Sequence, residues 1–137
     1  MKQYNIYLAG GMSNLSYEEQ MKWRLHIEYS LSDYSNVRCI SPPEYYSFEY
    51  KSHKHEREVF EFDLNLVRNS NLIIVNFNKP DSIGTAMEIA VAREHRIPII
   101  GLCEDNVEIH PWLIECCTRM CNTMDELVEH IIGYYLI

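Results

Sequence analysis

The sequence predicts an α/β domain: a flavodoxin-like, doubly wound, five-stranded parallel sheet with helices on both faces. Three observations predict it. Short apolar runs alternate with longer amphipathic stretches along the whole chain, the order that builds parallel sheets. Leu72–Val75 and Ile97–Leu102 are continuous apolar runs, as strands covered on both faces require. The 137 residues contain no repeat, linker or low-complexity tract and fit a single domain over 1–137.

Residues 4–9 form the first strand, which stops at Gly10-Gly11. Leu15, Trp23, Ile27 and Leu31 have helical spacing, so a helix runs from Ser16 to about Leu31. Val37–Ile40 is a short strand closed by Ser41-Pro42-Pro43, where proline forbids further laddering. An aromatic and charged loop leads to a helix over 56–68 and the strand at 72–75. A helix from Gly84 to Glu94, a strand over 97–102, a short helix at 111–117, a strand at 118–121 and a helix over 124–134 complete the chain. In such a sheet the ligand site lies beyond the carboxyl ends of the strands. That rule selects Gly10–Asn14, Ser41–Tyr46, Asn76–Thr85 and the loop from Cys103.

Charge narrows the ligand. The net charge is −8, but Glu104–Glu129 alone holds seven acids against Arg119, which reads as a solvated face. With no basic stripe, a nucleic acid polymer or a membrane surface is not an expected partner. The apolar runs are too short to span a bilayer. Five cysteines without a signal peptide read as reduced thiols in a cytoplasmic protein. Neither His53-Lys54-His55 nor Cys116-Cys117 with Cys121 has a metal-ligand spacing, so no metal or other cofactor is expected. Nothing in the sequence places a base beside a thiol for cysteine chemistry.

Two acids stand where acids do not belong. The helical neighbours of Asp63 are Val59, Phe60, Leu66 and Val67. Desolvation on such a face favours the protonated carboxyl, a general acid; a buried aspartate bonded to a loop is the plainer alternative. Glu88 has Gly84, Thr85, Val91 and Ala92 around it and lies little more than a turn from its helix start. The helix dipole there favours the carboxylate, as a nucleophile requires. Gly84, Thr85 and Ala86 leave room for a ligand against the backbone. Together the pair suggests two-carboxylate cleavage of a glycosidic bond.

Ile6–Gly11, Phe62-Asp63-Leu64 followed by Asn71–Val75, and Asp81-Ser-Ile-Gly-Thr-Ala-Met-Glu88 resemble the nucleoside 2-deoxyribosyltransferase family in order and spacing over residues 4–102. The resemblance implies that Glu88 attacks C1′ of a deoxynucleoside, that Asp63 helps protonate the departing base, and that Tyr7 orients the glutamate. A free nucleobase or water then takes the sugar. It also implies a homo-oligomer with shared sites, each completed by a neighbour's segment around Arg119–Asn122. Many members carry a sugar-binding aspartate six residues before the nucleophile; here Ser82 stands there, with Asp81 one residue further back. The Ser-Ile-Gly stretch is closer to the related 2′-deoxynucleoside 5′-monophosphate N-glycosidases, whose serine at this place helps hold a phosphate. Their first loop has an arginine, which Gly10-Gly11-Met12-Ser13-Asn14 lacks. Backbone N–H groups at Gly10-Gly11 and the Ser13 hydroxyl are alternative phosphate donors. Transfer and hydrolysis stay open, as do nucleoside and nucleotide substrates and a binding module without chemistry. Pro43, Glu44 and Tyr45, with Tyr46, Phe48 and Tyr50, follow the second strand. The aromatics are candidates for base stacking and Glu44 for reading a base edge.

Overall fold

The computed structural model describes residues 2–45 and 55–137. The loop calls at Tyr46, Phe48, Tyr50, His53 and Lys54 lie outside them. Elements follow in the order β1 (Tyr4–Gly10), α1 (Tyr17–Ser30), β2 (Val37–Ile40), a 3₁₀ turn (Pro42–Tyr45), α2 (Glu56–Arg68) and β3 (Leu72–Asn76). They continue with α3 (Ile83–Glu94), β4 (Ile99–Leu102), α4 (Pro111–Cys116), β5 (Arg119–Cys121), α5 (Met124–His130) and a π-helical turn (Ile131–Tyr135). The five strands are parallel in the order β2-β1-β3-β4-β5, so the flavodoxin-like expectation holds. Chain order reverses between β1 and β3, which pair from Ile6 with Leu72 to Gly10 with Asn76.

Two cores sit on the two faces. Period-two alternation sends Ile6 and Leu8 toward α1 and α5, with Trp23, Ile27, Leu31, Leu127 and Ile131. Tyr7 and Ala9 go to the other face with Val67, Ile89 and Ala92 of α2 and α3. The helix starts are capped by local chemistry. Ser16 and Glu19 form a reciprocal capping box on α1, and Ser82 accepts from the Thr85 N–H to cap α3. The five cysteines are free thiols, and Cys116 and Cys117 pack against the second core. The acids at Glu104, Asp105, Glu108, Glu115, Asp125 and Glu129 are exposed.

Boundaries differ from expectation at three places. The fourth strand starts at Ile99 rather than Ile97, because Arg96 adopts a left-handed φ of 57° and Pro98 has no N–H for the ladder. The last α-helix ends at His130, beyond which the chain widens and the Leu136 N–H reaches Ile131 O. The third difference is that β1 runs on through Gly10; neither Gly10 nor Gly11 has a positive φ, and the left-handed residue of that loop is Asn14 at 63°. The two glycines are needed for space instead. A Cβ on Gly10 would stand 2.9 Å from Trp23 Cζ2, and one on Gly11 would stand 2.6 Å from Lys79 Cβ.

Gly10→Ala is therefore expected to lower unfolding free energy by about 1–3 kcal/mol through overpacking against Trp23. Gly84 is helical and a Cβ there meets nothing within 4 Å, so Gly84→Ala should raise it by up to about 1 kcal/mol. Urea denaturation of the two variants beside the parent measures both.

Candidate active site

Beyond the carboxyl ends of β1 and β3 lies a cavity of about 540 Å³, where the switch-point rule places it. Its walls bring together Gly10, Gly11 and Ser13 of the first loop, Asp63 of α2, Asp81 and Ser82 before α3, and Gly84 and Glu88 on α3. Met12, Pro42, Phe60, Lys79 and Met87 also line it.

Tyr7 lies beneath this cavity, fully buried. Its place on β1 aims it at α3, where its hydroxyl donates to Oε2 of Glu88. Burial and the nearby carboxylates of Glu88 and Asp63 push the phenol well above its usual range, so it stays protonated and remains a donor. Asp63 is half-buried on the cavity side of α2, next to the buried Leu64. Glu61 on the same helix is exposed, as its polar surroundings suggest.

Glu88 differs from expectation in the direction of its acidity. Burial raises its pKa to about 7, and the charge of Asp63 adds to the rise. The Tyr7 hydrogen bond and the Arg24 charge work the other way. The helix dipole does not dominate, because Glu88 is the sixth residue of α3 and the dipole acts chiefly within the first turn.

Two loops are zipped together over the site. The Asn78 side chain accepts from the Gly11 N–H at 3.2 Å and donates to Gly11 O at 3.3 Å. Nothing in the sequence pattern marks Asn78, since only the β1–β3 pairing brings it opposite Gly11. Arg24 was also not among the expected site residues, although it lines the cavity from α1. A signal for it existed. Gln20, Arg24, Ile27 and Leu31 share one stripe of α1, and all four are buried, so Arg24 is a charge on a core face just as Asp63 is.

Four expected residues lie apart from this cavity. Pro43 is buried, and its neighbour Pro42 forms the wall. Glu44 turns toward a separate groove with Glu28 and Cys39. Tyr45 accepts from Arg38 Nη2 at 3.0 Å and meets Phe62 edge-on at 5.5 Å between centroids, which ties β2 to α2. Asn122 follows the edge strand β5, and its N–H donates to Glu126. The 3₁₀ turn after β2 leaves the first three off the cavity wall, and Asn122 is separated from the β1–β3 crevice by β4. Among the described residues, no group of three or more His, Cys, Asp or Glu could hold a metal, and no helix is long and apolar enough to cross a membrane.

A flavodoxin-like subunit with two carboxylates in one switch-point cleft fits the class of enzymes acting on glycosidic bonds. The chain belongs to the nucleoside 2-deoxyribosyltransferase family, whose model matches residues 6–129. No curated protein sequence matches it. Among solved structures it is similar to a conserved protein from Enterococcus faecalis V583, with a TM-score of 0.81, 18% identity, and coverage of 96% of this chain and 98% of that one. The 2-deoxyribosyltransferase of Bacillus psychrosaccharolyticus superposes with a TM-score of 0.73 at 20% identity, over 90% of each chain. The CMP N-glycosidase of Clostridium botulinum gives 0.60 at 18% identity, over 93% of this chain and 97% of that chain. At these identities the neighbours establish the fold; family membership rests on the family model.

The raised pKa of Glu88 has a stability consequence. Between its ordinary value of 4.5 and about 7 the folded state binds more protons than the unfolded chain, so stability falls as pH rises through that window. Glu88→Gln is expected to stabilise the protein by about 1–3 kcal/mol at pH values above about 7 and by little below about 4.5. Thermal melts across that pH range check the sign.

Proposed function

We propose that this chain cleaves the N-glycosidic bond of a 2′-deoxynucleoside through a glutamyl ester and passes the deoxyribose to another base or to water. The observation that carries the reading is Glu88 on the cavity wall, held through Oε2 by Tyr7, with Asp63 on the facing helix. Oε1 of Glu88 attacks C1′. The electron pair of the C1′–N bond leaves with the base, and the Asp63 carboxyl supplies the proton. In the second half an acceptor nitrogen or water attacks C1′, its proton passes to Asp63, and the ester bond breaks to restore Glu88. Tyr7 stabilises the carboxylate as it leaves and fixes which oxygen is free. Asp81 and Ser13 at the rim are candidates for the sugar hydroxyls, and Gly84, which keeps α3 bare, admits the ribose ring.

The cavity charge supports a nucleoside as the substrate. Its walls carry Glu56, Asp63, Asp81 and Glu88 against Arg24 and Lys79, an unfavourable balance for a phosphate dianion. A second reading, hydrolysis of a 5′-monophosphate, is favoured by Lys79 beside Gly11 and by Ser82 at the N-cap of α3, both lining the same cavity. The two readings separate in one comparison. The nucleoside enzyme releases base faster from the deoxynucleoside than from its monophosphate. The nucleotide enzyme shows the reverse preference and loses it in Lys79→Ala.

The cavity mouth supports shared sites. Phe60, Ile83 and Met87 line it while 45%, 78% and 40% exposed, an apolar rim suited to a second copy of this chain. The Arg119–Asn122 segment, remote from its own cavity, is the candidate contribution from that copy. Light scattering should report an oligomer that Ile83→Lys weakens, with activity falling in parallel; a fully active monomer would refute site sharing.

Chromatography of free base, with and without an acceptor base, tests the chemistry. Glu88→Ala should lower turnover by at least about 10³-fold and Asp63→Asn by about 10²–10⁴-fold. A 2-deoxy-2-fluoro nucleoside should leave a mass adduct on Glu88. Turnover that survives Glu88→Ala would sink the mechanism.

A further inference from the structure

Arg24 is the one charged side chain that is fully buried among the described residues. It starts on α1, on the opposite face of the sheet from Tyr7, and reaches over the carboxyl end of β1. Nε donates to Leu8 O at 3.1 Å, Nη1 to Gln20 O at 2.6 Å and Nη2 to Gly10 O at 3.3 Å. The guanidinium carbon lies 4.6 Å from the Trp23 ring centroid. A Cβ on Gly10 would be in ordinary contact with Nη2, at 3.5 Å. Burying a guanidinium costs heavily in desolvation unless a counter-charge offsets it. Carbonyls satisfy its N–H groups but leave its charge uncancelled. A methionine at this position of α1 would fill the stripe without that cost.

The counter-charge is across the cavity wall. Arg24 and Glu88 line the same cavity, and each favours the charged form of the other. Glu88 thus has a hydroxyl donor from β1 and a fixed cation from α1. We propose that Arg24 is a positioning residue for the reaction: it pins the β1 carboxyl end by two carbonyl bonds, to Leu8 and Gly10, and supplies the positive charge that keeps Glu88 a competent nucleophile. This rests on Glu88 being the attacking group. The other charges sharing that space are Asp63 and Glu56 from α2 and Lys79 and Asp81 from the loop before α3. Asp63 opposes Arg24 in its effect on Glu88. Arg24 also interacts with Glu28 on its own helix, and burial lowers its own pKa only to about 10, so it stays charged throughout the range of Glu88.

Carbon-13 NMR titration of glutamate-labelled protein tests this without turnover, with the Glu88 signal assigned by its loss in Glu88→Gln. In the parent protein it should titrate near 7. In Arg24→Met the midpoint should rise by about one pH unit or more, and Arg24→Lys should recover most of that shift. The acid limb of kcat/KM should move with it. That is about tenfold lower kcat/KM below the limb, with recovery above it. Should Arg24→Met fail to fold, Arg24→Gln, which keeps a donor for the β1 carbonyls, gives the same readout. An unmoved Glu88 titration in a folded variant, or an equal rate loss at every pH, overturns the proposal. Absence of turnover in the parent protein would instead refute the reaction and leave the titration result standing.

Discussion

At the carboxyl end of β1 a buried tyrosine, a desolvated glutamate and a fully enclosed arginine meet within one small volume, and the surrounding structure serves to hold them there. Each is costly to bury alone. Tyr7 without an acceptor would be an unsatisfied hydroxyl in the core, Glu88 without a donor would retain its proton, and Arg24 without a partner charge would not stay. Together they offset one another. Tyr7 comes from the α2/α3 side of β1, Arg24 from α1 on the other side, and Glu88 from α3, so three elements that share no local sequence depend on the same register.

That dependence explains the economy of the loops. Gly10 lacks a side chain because Trp23 occupies the space. Gly11 lacks one because Lys79 does, and Asn78 ties its backbone to the β3 loop from both sides. The loop needs a left-handed residue only at Asn14, where asparagine tolerates it. The site is built less from flexible loop than from strand ends fastened by side chains.

The elevated pKa of Glu88 fits the same balance. Burial alone disfavours the carboxylate, whereas a hydroxyl donor and a cation favour it, and the result lies near neutrality. A buried carboxylate of this kind destabilises the folded protein at neutral and higher pH, and stability lost at a functional site is a common cost of activity. Among the described residues the cavity carries Glu56, Asp63, Asp81 and Glu88 against Arg24 and Lys79, and Phe60, Ile83 and Met87 form an exposed apolar rim at its mouth.

Much of this was legible in the sequence. Apolar runs and their spacing placed the five strands and five α-helices, because strand and helix periodicities depend only on local chemistry. Asp63 and Glu88 stood out because an acid among apolar helical neighbours breaks a local rule, and Tyr7 followed from the family resemblance. What sequence could not supply was any relation across the sheet. The dipole at the start of α3 suggested an ionised Glu88, but its acidity is decided first by burial and then by Tyr7, Asp63 and Arg24 from three other elements. Pro43, Glu44 and Tyr45 follow a strand end as binding residues do, yet a 3₁₀ turn leaves them off the cavity wall. Arg24 carried the same local signal as Asp63, a charge on a buried stripe, but its meaning required knowing which strand end that stripe packs on. The sequence by itself determined the fold and the chemical groups available; the tertiary structure decided which groups meet, because Coulomb interactions and desolvation depend on distances through space and not along the chain.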